Sequence, residues 1–169
     1  MASVMWHRRG KEKFCASWPA ALYRMTLASG SQKEIVMVKV IDHATQPSED
    51  WRQGVRTVML VSAVTEASQL CIFEQYCEPG LGAPTHQHSV EEVLTVVAGE
   101  ADIWVGDETL RVRGGQSVVV PAGHWHGFKN ILDTTLHVRA TIAAPVFEAG
   151  YVDRNELTRR YLPPGVTPV

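Results

Sequence analysis

From residue 35 onward the apolar positions fall in short runs rich in Val, Ile, Thr and aromatics, each closed by Gly, Pro, Asp or Asn. That pattern belongs to strands and turns rather than to helices. It predicts strands near 35–41, 55–64, 69–77, 92–98, 101–105, 109–113, 116–120, 125–129 and 135–143. Turns are predicted at VGDET (105–109), RGGQ (113–116) and NILDTT (130–135). Many short strands at such spacing imply an all-β antiparallel sandwich or barrel. One short helix is expected at residues 153–162, DRNELTRRYL. Asp153 and Glu156 stand there at capping-box-like spacing, and Pro163-Pro164 closes it.

The first 34 residues follow a different pattern. Phe14, Trp18, Leu22 and Met25 share a helical face, but Pro19 interrupts it. This acid-poor, Arg-containing segment reads as a transit peptide, as a disordered leader, or as an upstream extension of a frame starting at Met37. The latter two are the simpler readings. The expected organisation is a basic extension (1–34), a β-barrel (35–152), and a short helix with a Pro-rich tail (153–169).

Composition adjusts this picture only slightly. At 169 residues, with 45% hydrophobic and 20% charged residues, the chain is expected to form one soluble domain. Residues 1–40 hold seven of the sixteen Lys/Arg but two of the eighteen acids, so the basic excess is confined to the extension. A net charge of −2 gives no reason to expect nucleic acid or an anionic membrane as partner. No apolar run nears the ~20 residues that span a bilayer. Cys15, Cys71 and Cys77 are too few for a disulfide framework and lack CxxC spacing, which predicts buried free thiols. A cytoplasmic protein is the expectation.

Chemistry concentrates in GLGAPTHQHSVEEVLTVVAG, residues 80–99. In a strand, positions i and i+2 face the same way, so His86 and His88 project together. Glu92 shares parity with Leu94 and Val96, which suits an inward face, whereas Glu91 has the opposite parity and faces solvent. Imidazoles and a carboxylate facing one interior are ligands for a borderline divalent metal. Burying that carboxylate without a cation or donors would be costly. The segment GGQSVVVPAGHWHGFKN, residues 114–130, adds His126, turn-forming Pro121 and Gly123, and Asn130 at the next bend.

Together the two segments resemble the cupin superfamily. The motif G(X)5HXH(X)3–4E(X)6G is met by Gly80, His86, His88, Glu92 and Gly99. The motif G(X)5PXG(X)2H(X)3N is met by Gly115, Pro121, Gly123, His126 and Asn130. The resemblance implies a double-stranded β-helix, or jelly-roll barrel, often paired as a homodimer. It also implies one divalent transition metal (Fe, Mn, Ni or Zn) held by His86, His88, Glu92 and His126. Four protein ligands would leave one or two octahedral positions open.

His124 is a further candidate beside His126, and Trp125 is expected to pack outward. His137 and Arg139 share one strand face, and either line a cavity or, as the commoner case, a solvated surface. Arg111 and Arg113 are assigned to a solvated face. On the strand at 69–77, parity separates Cys71, Phe73, Gln75 and Cys77 from Ile72, Glu74 and Tyr76 without saying which set is inside.

The functional expectation is a metal-dependent enzyme of dioxygenase type acting on a small organic molecule. The alternatives are a non-enzymatic ligand-binding or sensing cupin, and a cupin isomerase, decarboxylase or cyclase. A metal-free epimerase-like cupin is disfavoured, since all four ligand positions hold competent donors. A chain starting at Met37 is expected to fold with nearly unchanged thermal stability, because the extension carries no part of the strand pattern. A large drop in its melting temperature would show that residues 1–36 pack on the domain.

Overall fold

The computed structural model describes residues 38–163, 165 and 166. Among them are twelve strands: β1 (Ser48–Arg52), β2 (Val55–Val61), β3 (Cys71–Cys77), β4 (Gly82–Gln87), β5 (Glu92–Ala98), β6 (Glu100–Val105), β7 (Glu108–Arg113), β8 (Gln116–Val120), β9 (His126–Asn130), β10 (Leu136–Ile142), β11 (Phe147–Tyr151) and β12 (Thr158–Arg160). They form two six-stranded antiparallel sheets, ordered β1-β2-β3-β10-β5-β8 and β12-β11-β4-β9-β6-β7. No helix of the described residues is long and apolar enough to cross a membrane.

Strict alternation builds the core between the sheets. On β10, Leu136, Val138, Ala140 and Ile142 are buried, while His137 and Arg139 point the other way. On β5, Leu94 and Val96 share the inward face with Glu92. Ala101 and Ile103 of β6 and Phe128 of β9 oppose them from the second sheet. Each fully buried Leu, Ile, Val or Phe contributes about 1.5–3 kcal/mol, so a register slip of one residue would invert the core and is excluded. The structure also decides the parity left open on β3: Cys71, Phe73, Gln75 and Cys77 face inward. Burial pushes the Cys71 thiol up to about 12 and Cys77 up to about 11, so both are protonated, and both are free. Cys15 lies outside the described residues.

The three predicted turns fall where expected. Gly106, at φ 58°, turns β6 into β7, and Gly114-Gly115 link β7 to β8. Asn130 organises the third. Its side-chain amide donates to the carbonyls of Cys77 (3.0 Å) and Thr134 (2.7 Å), and its carbonyl accepts from the Leu132 N–H (3.0 Å). One buried side chain thus ties the β9–β10 turn to the end of β3.

Two expectations are corrected. Residues 153–162 form no helix: a turn and bends lead into β12, which pairs Thr158, Arg159 and Arg160 with Ala149, Glu148 and Phe147. A ten-residue helix is marginal without an apolar face to bury, whereas the strand gains specific partners. Arg159 pairs with Glu148 at 2.6 Å, the Arg160 guanidinium lies 4.9 Å from the Trp51 ring, and the Tyr161 hydroxyl donates to Glu49 at 2.9 Å. The strand expected at 35–41 is likewise absent from residues 38–41, and residues 35–37 lie outside the described set, as does the Phe14–Met25 face. The first strand begins instead at Ser48.

Two strands besides β12 went unforeseen, β1 and β11, and β4, assumed around His86 without bounds, begins at Gly82. β1 is largely exposed and polar. β4 contains Gly82 and Pro84, and the pairing register shifts between Ala83 and His86, the kind of irregularity that accommodates a proline.

Gly82 faces Lys129 in the β4–β9 pairing, and a Cβ at position 82 would collide with the Phe128 carbonyl. Gly82→Ala is therefore expected to destabilise the domain by about 1–3 kcal/mol. Urea unfolding measures this, and an unchanged midpoint would show that β4 and β9 can separate freely.

Candidate metal centre

Three chain segments bring the four predicted ligands to one point. His86 on β4 stands directly opposite His126 on β9 in the strand register. Glu92 opens β5 in the other sheet, and His88 lies one residue past the end of β4. The Gly123 N–H donates to the His88 carbonyl at 2.7 Å, which holds the Pro121–Gly123 turn against the His88 segment. Gly123 has φ 75°, a conformation glycine adopts without strain, and His126 enters β9 three residues later. His86, His88, Glu92 and His126 are all buried, with at most 6% of their surface exposed. One ligand atom from each lies within 4.8 Å of the others.

Hydrogen bonds on the far side of each ring decide what the rings present inward. The Nδ1 of His86 meets the Pro84 carbonyl at 2.8 Å, and that of His126 meets the His124 carbonyl at 2.9 Å. His88 Nδ1 meets the Glu148 carbonyl on β11. A carbonyl only accepts, so every Nδ1 carries the proton, and every Nε2 is directed into the site. There His126 Nε2 lies 2.6 Å and His88 Nε2 3.7 Å from Glu92 Oε2. The buried His88 Nε2 has no hydrogen-bond partner among the described residues. Ring nitrogens converging on a buried carboxylate, one of them unpartnered among the described residues, fit a cation at their common centre.

Without that cation the charges are held by protons. Burial alone would raise the Glu92 carboxyl, but the hydrogen bond from His126 and the neighbouring imidazoles hold it below the usual carboxylate range. His126 is raised: burial lowers it, and the hydrogen bond and charge of Glu92 outweigh burial. Burial, reinforced by His126, pulls His86 down to about 3, and burial also lowers His88. Two imidazoles are thus neutral at neutral pH and ready to ligate, and the third shares its proton with the only anion present.

The remaining candidates stand elsewhere. His124 is exposed and reaches the centre only through its backbone carbonyl. His137 and Arg139 lie on the outer face of β10, where both approach Glu74, at 3.0 and 2.6 Å. Glu91 is exposed, as its parity required. Arg111 pairs with Asp102 at 3.2 Å and Arg113 with Glu100 at 3.1 Å on an exposed face, and Trp125 is 38% exposed. Beside His86 and Glu92 lies a cavity of about 20 Å³, lined also by Arg52, Gln75, Phe147 and Tyr151. Sequence reasoning named none of these four as site residues. Parity with Phe147 and Ala149 could have found Tyr151, but no linear signal marked Arg52, which reaches the site from a polar strand.

The family of the Cupin domain matches residues 73–142, the stretch that holds every candidate ligand. Residues 73–142 are a cupin domain. Among curated proteins, this cupin is 36% identical over 61 residues to the dimethylsulfoniopropionate lyase DddQ of Ruegeria pomeroyi, covering 36% of this chain and 30% of that one. The chain therefore spans well under half the length of that relative. Among solved structures it is similar to an RmlC-like cupin from Shewanella frigidimarina, with TM-score 0.53 and 23% identity, covering 60% of this chain and 86% of that one. It is also similar to the polyketide cyclase RemF from Streptomyces resistomycificus, with TM-score 0.57 and 19% identity, covering 76% and 89%. At these identities the two structures establish the fold.

The pH response of the metal-free cupin follows from the centre. His86 and His88 have folded pKa values below the unfolded value of about 6.5, so their stability is present above that pH and lost as pH falls below it. Glu92, also lowered, adds stability that is lost as pH falls through its folded pKa. His126 has the opposite sign: its contribution is present below about 6.5 and is lost as pH rises through its raised folded value. Three groups oppose one, so the melting temperature is expected to fall as pH is taken from about 7 to about 4. A flat profile would show that the imidazoles are already hydrated in the metal-free state.

Proposed function

We propose that His86, His88, Glu92 and His126 hold one divalent transition metal, and that this cupin is a metal-dependent enzyme of dioxygenase type acting on a small organic molecule. The observation that carries the reading is the shared direction of the donors. Three backbone-locked imidazoles turn Nε2 toward one buried carboxylate, and one of these nitrogens has no hydrogen-bond partner among the described residues. Iron, manganese, nickel and zinc all suit this donor set. When bound, such a metal supplies Lewis acidity and, if it is iron or manganese, one-electron chemistry toward dioxygen.

The chain's own contribution is charge, geometry and exclusion of water. Three neutral imidazoles and a single carboxylate leave a divalent ion with net positive charge, which favours an oxygen anion of the substrate. Four protein ligands leave room for one or two further groups. Phe73, Leu94, Phe128 and Phe147 line the adjoining cavity and limit water there to about one molecule. The protonated Cys71 and Cys77 offer no competing thiolate nucleophile.

A second reading, a lyase or cyclase reaction without net oxidation at the same centre, is favoured by the names of DddQ and RemF. Oxygen-electrode measurements with the metal-loaded protein and a panel of small organic acids separate the two. Oxygen uptake matched to product formation supports the dioxygenase reading, and turnover under argon overturns it in favour of the second.

The ligand assignment has its own test. Glu92→Gln removes the centre's only anionic donor and is expected to lose most of the bound metal in elemental analysis, whereas Glu91→Gln should retain it. The reverse result would place the wrong acid inside the domain.

A further inference from the structure

Arg52 is the one guanidinium near the centre that lacks a counter-ion among the described residues. Its Nε donates to the Gly82 carbonyl at 3.1 Å, and its buried Nη2 has no hydrogen-bond partner. Burial pulls its pKa below the ordinary guanidinium value, yet an arginine remains charged in proteins. The neighbouring Tyr151 side chain partly offsets that burial but is no counter-ion, and a desolvated cation with an unpaired donor is costly unless something outside the described residues pairs with it.

The surroundings say what that is. Arg52 and Tyr151 line two spaces at once: the cavity of about 20 Å³ beside His86 and Glu92, and an outer pocket of about 60 Å³. Arg154 and Arg160 border the outer pocket. Both of those arginines have acids nearby, Asp153 at 3.8 Å and Glu49 at 3.6 Å. Both also lie over aromatic rings, those of Tyr151 and Trp51. Arg52 has neither arrangement. Its planar fork matches two coplanar oxygens, and the inner cavity has room for one small group rather than a whole molecule.

We propose that Arg52 anchors a carboxylate of the substrate, whose body lies in the outer pocket and whose charged end faces His86 and Glu92. This narrows the substrate class to small organic acids. It rests on the metal reading for the far side of the carboxylate, while the Arg52 side is testable without metal.

The experiment titrates the full chain, metal-free and then manganese-loaded, at mildly alkaline pH with acetate, acetamide and inorganic phosphate. Calorimetry gives affinities, and the nitrogen-15 resonance of the Arg52 Nε–H reports contact. Acetate is expected to bind at least tenfold more tightly than acetamide and to shift that resonance. Arg52→Gln should lose at least tenfold in acetate affinity with metal stoichiometry unchanged. Arg52→Lys, which keeps the charge without the fork, should fall between. Equal acetate affinity in Arg52→Gln, tighter phosphate than acetate binding, or a wild-type Arg52 resonance unmoved by saturating acetate would each overturn the proposal. The last of these needs no variant to fold. If the wild type bound no manganese while its Arg52 resonance still answered acetate, the metal reading would fall and the Arg52 assignment would stand.

Discussion

A carboxylate with 2% of its surface exposed sits at the meeting point of the two sheets, and the local architecture is arranged around keeping it charged. Taking such an ion out of water costs several kcal/mol unless donors or a cation compensate. Glu92 enters from one sheet and His86 and His126 from the other, so the compensation exists only when both sheets are in register. The packing of Leu94, Val96, Phe128 and Val138 and the electrostatics of the centre therefore specify the same pairing, the agreement between levels that a well-defined native state requires.

The parts of the chain that could be read in advance were those where local rules and tertiary demands coincide. Along β5, hydrophobic alternation places Glu92 inside and the preceding Glu91 outside, because a buried face tolerates no slip, and on β10 it groups His137 with Arg139 on one face, which the structure shows to be the outer one. The glycines and Pro121 mark turns through backbone geometry that few other residues share. Where local preference and tertiary partner disagree, the sequence misleads. The capping-box spacing at Asp153 favours a helix, but the Glu148–Arg159 ion pair and the β11 backbone draw the segment into a sheet. β1 is hidden for a related reason, being an exposed edge with little apolar signal, and the bounds of β4 are blurred by a proline at an irregular pairing.

The same division runs through the centre itself. Its four candidate ligands follow a spaced motif and were visible. Arg52, Gln75 and Tyr151 complete the surroundings from β1, β3 and β11, strands distant in sequence whose approach is set by sheet order. The resulting asymmetry has a physical basis. Residues that bind a metal must obey tight mutual spacing, whereas residues that shape a cavity need only reach it.

The three ring-orienting contacts end on backbone carbonyls, those of Pro84, His124 and Glu148. Every amino acid carries that acceptor. Side-chain replacement at positions 84, 124 and 148 leaves the acceptors in place, so alanine scanning is blind to them. His124, whose imidazole stays at the surface, serves the centre through an atom that mutation cannot delete. The orientation of the rings is thereby inherited from the fold rather than from particular side chains.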